Sequence, residues 1–367
     1  MRHLAPIMDF PDNNDLKLAL EKAEAQARLA NADTPTRLCE DWRYGRPHKY
    51  ASQLVELLGN RQITSRGSIR IQAPEGVAEE MMPELKENEI LMQTIGSDRI
   101  LALHLERFES GVSIFIEESL DEPIIITYET EGLFTPTTYI MAEPGVRARI
   151  IERHITHGAG TMVCTRCIQA AEGAELSIEL EECGSGTSRV MNITNITAMD
   201  AVVKHLTRHE GHLWAREETL AEIPYSSGRA DIHLFSANRL KGHEVLDQHT
   251  RQIHHCGHSA SNLLYKNVVD GNATAIFAGN IFVAAGAHHT DAYQTNRNML
   301  LSEDATIHSL PGLEILADKV KCSHGSASSP MDEEQLFYLL SRGIPKHEAQ
   351  LLVAEGFLAD AISRYRE

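Results

Sequence analysis

The sequence lacks the segments that would place a protein in a membrane or on a secretory route. No stretch approaches the roughly eighteen consecutive apolar residues that a membrane-spanning helix requires. The opening segment, MRHLAPIMDFPDNNDLKLAL, contains no apolar run of the kind found in signal peptides. We therefore expect a cytoplasmic protein.

Several motifs of nucleotide-binding and hydrolytic enzymes are also missing. There is no GxxxxGK[ST] segment for a P-loop, no GxGxxG that follows a strand and opens a helix, and no GxSxG elbow. The acidic residues form no recognisable pair for sugar hydrolysis. These absences exclude the common ATPase, dinucleotide-binding, serine-hydrolase and glycosidase types.

Basic residues and cysteines are sparse. The chain has 34 Lys and Arg against 52 Asp and Glu, a net charge of −18, which argues against a nucleic-acid partner because phosphate binding draws on clustered basic side chains. Six cysteines spread over 367 residues do not form a disulfide framework, so reduced thiols are expected. The 42% hydrophobic and 23% charged content is typical of a globular protein.

The patterning of the residues that are present divides the chain into three parts. Apolar residues at helical spacing predict helices over residues 14–30 and 50–58, within a helical segment 1–60. From residue 61 to 329, short stretches of Ile, Val, Thr and Tyr broken by Gly, Pro and Asp predict many strands and no intervening helix. Such a run excludes a doubly wound α/β sheet and leaves a sandwich, a barrel or a solenoid.

A weak internal repeat favours one of these β architectures. Residues 142–152 and 170–180, with a looser copy at 301–310, each combine an acidic or polar turn with an alternating strand. Turn-plus-strand units of about 20 to 30 residues are typical of a parallel β-helix, in which each coil buries its apolar face on the next. The repeat therefore favours a mainly β fold of this class.

Two amphipathic helices are predicted in the last part of the chain, residues 330–367. Acidic residues open the first helix at Asp332, and Pro345 starts a second helix with a broad apolar stripe. These helices could cap the open end of a β domain or form a docking surface, and the pattern favours neither.

Cys322 and His324 are the strongest candidates for chemistry. If residues 313–329 form a strand, the two side chains share one face, because side chains alternate with period 2. A thiolate beside an imidazole is a soft ligand pair for iron, copper or zinc, or a nucleophile with its base. A packing or surface role is the alternative.

Two other groups are weaker candidates. Cys164 and Cys167 form a CxxC, but within a strand their spacing puts the thiols on opposite faces, which indicates structural cysteines. His254, Cys256 and His258 would share a face if they lie on a strand, where either a metal site or a polar stack is open.

Four segments in the last third of the chain carry a family resemblance. They are AIFAGNIFV (275–283), TDAYQTNRNMLL (290–301), LEILADKVKCSHG (313–325) and DEEQLFYLLSRGI (332–344). In this order they closely resemble the SufB/SufD family of iron–sulfur cluster assembly proteins, and EDWRY (40–44) adds a weaker similarity. KCSHG is similar to the SufD members rather than to SufB, which carries a Glu-His-Glu-Ala-Thr pattern there. The chain departs from the family at Ala278, Lys319 and Ser326–Ala327, around but not at Cys322 and His324.

The resemblance implies a right-handed parallel β-helix between helical ends, in a scaffold subunit rather than an enzyme. It implies pairing with SufB through the last β-helix strands, with Cys322 and His324 as transient metal ligands at the interface where a cluster forms. It also implies binding of the SufC ATPase through the C-terminal helices, for which the candidate residues are Phe337, Tyr338, Arg342, Gly343 and Leu351.

No tightly bound cofactor is expected in the isolated chain, whereas the complex would carry a transient iron–sulfur cluster and is a candidate for a flavin. Two alternatives stay open. One is a SufB-like scaffold that pairs with its own copy. The other is a metalloenzyme that uses His254, Cys256 and His258.

Overall fold

A computed structural model of the chain describes residues 27–36, 40–43, 47–64, 66–74, 77–82, 92–107 and 110–367. Most of the predicted helix over 14–30 lies outside these residues, although 27–30 are helical. Tyr44, the last residue of the EDWRY segment, also lies outside them.

The strands of the described residues form two sheets wound as a parallel β-solenoid. One sheet has nine strands and the other ten, and successive strands of the chain alternate between the sheets along most of the solenoid. β1 and β2 pair antiparallel with their neighbours, and the long stacks that follow are parallel. The predicted fold class, a parallel β-helix with flanking helices, is confirmed. The strands are β1 Ser68–Gln72, β2 Ala78–Met82, β3 Ser110–Ile116, β4 Ile124–Thr130, β5 Leu133–Phe134, β6 Pro136–Ala142, β7 Arg147–Thr156, β8 Thr161–Ala170, β9 Glu175–Gly184, β10 Arg189–Ala198, β11 Val202–Glu210, β12 Trp214–Ile223, β13 Asp231–Leu240, β14 Val245–His254, β15 Ala260–Val269, β16 Thr274–Val283, β17 Asp291–Leu300, β18 Thr306–Ile315 and β19 Lys321–Pro330.

The repeat detected in the sequence corresponds to consecutive coils. Arg147 of β7 lies opposite Glu175 of β9, so residues 142–152 and 170–180 occupy equivalent places one coil apart. Further along, Val202 lies opposite Asp231, and Asp231 opposite Ala260, which gives about 30 residues per coil. Each coil therefore buries its inward side chains on those of the next.

Stacked turns join these coils. Gly242 and Gly271 adopt φ values of +62° and +65°, a conformation that side chains with a Cβ rarely take. A Cβ on Gly271 would lie 3.0 Å from the backbone nitrogen of Gly242. A side chain is therefore disfavoured at Gly271 by both conformation and space, and at Gly242 by conformation alone.

Two N-terminal helices, α1 Pro47–Gly59 and α2 Asp98–Glu106, pack on the outer face of the ten-stranded sheet. Trp42, from the EDWRY segment, is fully buried, and its ring stacks on Trp214 with centroids 6.4 Å apart. The prediction of no helix between residues 61 and 329 is wrong at α2, because nine residues are too few for a helical period to stand out among strands.

Two C-terminal helices, α3 Glu333–Ser341 and α4 Lys346–Arg366, form a hairpin attached to the nine-stranded sheet. The last turns of α4 bury Ala361 and Tyr365 against Phe235 and Leu264 on the outer sheet face. Lys266 Nζ lies 2.7 Å from Asp360 Oδ2 and fixes the helix further. The two predicted C-terminal helices are thus present, with α4 anchored and α3 projecting from it. No helix within the described ranges combines the length and the apolar character that crossing a bilayer demands.

Candidate functional site at the end of the solenoid

The last coil of the solenoid consists of β18 and β19, each the terminal strand of its sheet. Residues 313–329 are not one strand, because β18 ends at Ile315 and β19 begins at Lys321, but Cys322 and His324 do lie on one strand, β19. Between the two strands Lys319 takes a left-handed φ of +55°. Because a lysine instead of a glycine or asparagine takes this conformation, Asp318 is the only turn signal that the sequence gives there.

Cys322 and His324 extend the inner rows of side chains from the preceding coil. In the pairing of β19 with β17, Cys322 lies opposite Ala292 and His324 opposite Gln294, and both of these partners are buried. No further coil of the described chain covers β19, so Cys322 is half-buried and His324 is exposed. The solenoid thus presents a thiol and an imidazole at its uncovered end.

The environment of Cys322 keeps its thiol protonated at neutral pH. Burial raises the pKa of Cys322 above its ordinary value, a backbone hydrogen bond at Ala292 offsets part of this, and the Asp291 carboxylate raises the pKa further. A metal that binds this sulfur must therefore displace a proton.

The backbone of β19 offers an open edge that is uninterrupted from Cys322 to Ser328 and ends at Pro330. Lys321 N donates to Thr290 O at 2.9 Å and Met331 N donates to Leu300 O at 3.2 Å, so the odd-numbered residues of β19 bond to β17. Because N–H directions alternate along a strand, the even-numbered residues point their N–H groups at the open edge. These residues are Cys322, His324, Ser326 and Ser328.

The edge of β18 is interrupted. Thr306 N donates to Ala273 O and Leu316 N to Val283 O, so in this strand the odd-numbered residues face the open edge. Pro311 is one of them, and proline has no N–H to donate. β19 is therefore the better edge for the addition of another strand.

A row of polar side chains crosses the interior and ends on β19. It comprises inward residues at equivalent positions of successive coils, namely His154, Glu182, His209, Asn238, Asn267, Asn298 and Ser328. Side-chain hydrogen bonds of 2.8, 2.9 and 3.1 Å link the last four members in that order. Sequence reasoning missed this row because its members are about 30 residues apart, and only the coil period could have revealed it.

The predicted ATPase-binding residues lie on the C-terminal hairpin. Phe337 and Tyr338 are 72% and 57% exposed, and the Arg342 guanidinium lies 5.1 Å from the centroid of the Tyr338 ring. Gly343 ends α3 with φ +83°, and Leu351 of α4 is half-buried. The hairpin thus presents aromatic side chains to solvent next to a cation.

The two weaker candidate groups do not form sites of their own. Cys164 packs in the solenoid interior, whereas Cys167 is buried against Tyr139 in a separate cluster. β14 ends at His254, so the interpretation of residues 254–258 as one strand is wrong. Both ring nitrogens of His254 lie within 2.8 Å of serine hydroxyls, and His258 stacks instead on His289.

Within the described part of the chain, two groups place three ligand atoms close enough for one metal ion, and neither contains the predicted histidines. They are Glu152–His154–Cys164 and Glu182–His209–His212, all buried.

Residues 125–357 match the family model of the SUF system FeS cluster assembly, SufBD core domain. The chain is 28% identical over 382 aligned residues to the iron–sulfur cluster assembly protein SufD of Escherichia coli K12, with 93% of this chain and 87% of that one covered. It is 38% identical over 121 residues to Bacillus subtilis SufD, covering 33% and 28% of the two chains. A SufBD family protein of Mycobacterium tuberculosis is 27% identical over 285 residues, covering 74% and 70%. The matched region contains both end strands and α3.

Proposed function

The chain belongs to the SufBD family of iron–sulfur cluster assembly proteins, and from this premise we propose that it is the SufD-type scaffold subunit, which supplies His324 and Cys322 to an assembly site completed by SufB. In this role the nascent cluster is cargo and the chain itself catalyses no reaction. We place this role in the cytoplasm.

The observation that carries this proposal is the uncovered end of the solenoid. Cys322 and His324 continue inner rows that in every earlier coil are covered by the next one. A second solenoid placed end to end would cover them and bring its own ligands close. The imidazole of His324 can bind iron or accept a proton, and the Cys322 sulfur is a soft ligand once deprotonated.

Pairing with SufB uses the open edge of β19. Addition of a strand to an exposed edge supplies main-chain hydrogen bonds without any side-chain requirement. The free N–H groups of Cys322 and His324 belong to this same edge. Strand pairing would therefore set the distance between the two side chains and the partner's ligands.

Binding of the SufC ATPase uses the hairpin of α3 and α4, within the C-terminal segment 330–367. Exposed aromatic residues are enriched at interface centres, and Phe337 and Tyr338 fit that description. Nucleotide hydrolysis would take place on the partner, in accord with the missing P-loop. A flavin would likewise belong to the complex.

Self-pairing is a second candidate, favoured by the same open edge. Two copies related by a twofold axis would bring β19 against its own copy, and such an interface is self-complementary. Measuring the mass of the chain alone and after addition of SufB separates the two. Exchange of a homodimer into a heterodimer supports the SufD role, whereas a homodimer that excludes SufB supports the self-pairing scaffold.

The test of the assembly site replaces His324 with alanine in the reconstituted complex with SufB and SufC. We expect cluster formation, followed by visible absorbance and by iron and sulfide content, to fall to background while the complex still assembles. His243→Ala, which removes an exposed histidine from the turn between β13 and β14, is the matched control and should behave as wild type. Undiminished cluster yield in His324→Ala would contradict the proposal.

A further inference from the structure

Glu182, His209 and His212 form a compact cluster inside the solenoid. Glu182 on β9 lies opposite His209 on β11, and His212 follows in the turn before β12. All three are buried, and one ligand atom from each lies within 4.8 Å of those of the other two. The cluster is separated from β19 by three intervening strands of the nine-stranded sheet, β13, β15 and β17.

Each histidine has one ring nitrogen held and the other free. His209 Nε2 lies 2.7 Å from Glu217 Oε1, and His212 Nδ1 lies 3.2 Å from Ser188 Oγ. His209 Nδ1 and His212 Nε2 are buried and form no hydrogen bond with any described residue. Metal-binding histidines show this pattern, because an oxygen that accepts the far N–H fixes the tautomer and turns the other nitrogen's lone pair to the ion.

The carboxylate of Glu182 is held in the same way. Its Oε1 accepts a 2.8 Å hydrogen bond from Asn192 Nδ2 and lies 2.6 Å from His154 Nδ1, whereas its buried Oε2 accepts none from the described residues. Oε2 lies 3.5 Å from His212 Nε2. A cation placed between these two buried ligand atoms would bind both of them.

We propose that Glu182, His209 and His212 bind one divalent first-row transition-metal ion, zinc or ferrous iron, in the interior of the solenoid. Two imidazoles and a carboxylate are a donor set that both ions accept. The ion ties the turn after β11 to β9, so its role is structural. Neither Cys322 nor His324 takes part in this site.

The neighbouring group Glu152–His154–Cys164 is a poorer cation site. Arg166 Nε donates a 3.0 Å hydrogen bond to Glu152 Oε2, and its guanidinium is fully buried there. A second cation next to this guanidinium would be repelled at low dielectric. The ion therefore belongs with Glu182, on the other side of His154.

The test uses the full-length chain carrying Cys322→Ser and His324→Ala, which removes the proposed assembly site. The protein is unfolded in chelator, dialysed and refolded anaerobically with Co²⁺, Zn²⁺ or Fe²⁺ as probe. We expect one equivalent of each ion, and for Co²⁺ visible d–d bands without the near-ultraviolet charge transfer of a thiolate ligand. In the same background Glu182→Gln and His212→Gln should weaken binding by more than the roughly 10–100-fold that loss of an outer-shell partner costs. The metal content of the chain as purified distinguishes zinc from iron.

His249→Gln is the matched control. His249 is also buried, with Nε2 2.9 Å from Asp247 Oδ1 and Nδ1 without a partner among the described residues, but it belongs to neither ligand group. It should bind the ion as the background chain does. Any of three results would overturn the site. They are uptake of less than a tenth of an equivalent of metal by the background chain, a thiolate charge-transfer band, and a loss of metal affinity in the control equal to that in the ligand variants. Circular dichroism checks that each variant refolds, and the background stoichiometry decides the question if a ligand variant does not.

Discussion

Asn267 donates a side-chain hydrogen bond of 2.9 Å to the Oδ1 atom of Asn298, one coil further along the solenoid. Asn267 in turn accepts a 2.8 Å hydrogen bond from Asn238 Nδ2. All three asparagines are buried, so the interior at this end of the solenoid is joined by polar bonds instead of by apolar packing alone. The row leads to Ser328, on the strand that carries Cys322 and His324.

Asn267→Ala should lower the free energy of unfolding by more than the loss of side-chain volume alone would. The truncation leaves Asn298 Oδ1 without its donor and opens a cavity, and each buried polar group left unpaired costs about 1–3 kcal/mol. Urea unfolding measures the loss in the free energy of unfolding. Asn272→Ala, at an exposed turn, is the control and should change it by less than about 0.5 kcal/mol. Equal effects of the two substitutions would show that the asparagine row adds no stability.

The sequence predicted those features that local patterns carry. The repeat at 142–152 and 170–180 predicted the coils, and the helices around Pro345 were evident from their apolar stripes. The turn at Lys319 and helix α2 were not predicted, the turn because no glycine marks its left-handed position and the helix because it is short. Pairs such as Asn267 and Asn298 form only between coils, so they cannot be found before the register is known.

The candidate site divides in the same way. Cys322 and His324 are two residues apart, and this spacing together with the family resemblance sufficed to select them as candidates. Their position at the uncovered end could be seen only in the structure. The same holds for which residues of β19 and β18 point their N–H groups at the open edge. His254 and His258 were misinterpreted because a strand was extended through what is a turn.

Ser326→Pro should block pairing with SufB while the chain stays folded. The N–H of Ser326 points at the open edge of β19, and proline removes it without breaking a bond to β17. Gly325 precedes it and tolerates the restriction that proline imposes on its neighbour. Complex formation is measured by size-exclusion chromatography with SufB. Ser326→Ala, which keeps the N–H and loses only the 2.8 Å contact to Ser309 Oγ, should still bind. Normal binding by the proline variant would contradict pairing through this edge.

Phe337→Ala should weaken binding of SufC without lowering the stability of the chain. The side chain is 72% exposed, so its removal leaves no cavity, whereas an aromatic residue at the centre of an interface contributes about 2 kcal/mol or more, near 30-fold in affinity. Calorimetric titration with SufC measures the change. Tyr225→Ala removes an aromatic side chain that is 66% exposed on the turn between β12 and β13, and should leave the affinity unchanged. A similar loss in both variants would exclude a specific role for α3.

His205→Leu should make the chain less sensitive to acid. His205 is buried, neither ring nitrogen has a hydrogen-bond partner among the described residues, and burial together with the Arg166 charge lowers its pKa from 6.5 to about 4. In the unfolded chain the His205 imidazole is protonated near pH 6.5, whereas in the folded chain it is protonated only near pH 4. The stability that His205 contributes is therefore fully present above pH 6.5 and is lost as the pH falls through this window.

Leucine does not titrate. The free energy of unfolding of the variant should therefore equal or exceed that of the wild type at pH 7.5, and the difference should grow by about 2 kcal/mol at pH 5. Urea unfolding at the two pH values gives both numbers. His243→Leu, at an exposed position, should leave the pH dependence as it is in the wild type. Parallel pH profiles for His205→Leu and the wild type would mean that the buried imidazole accepts its proton as readily in the folded chain as in the unfolded one.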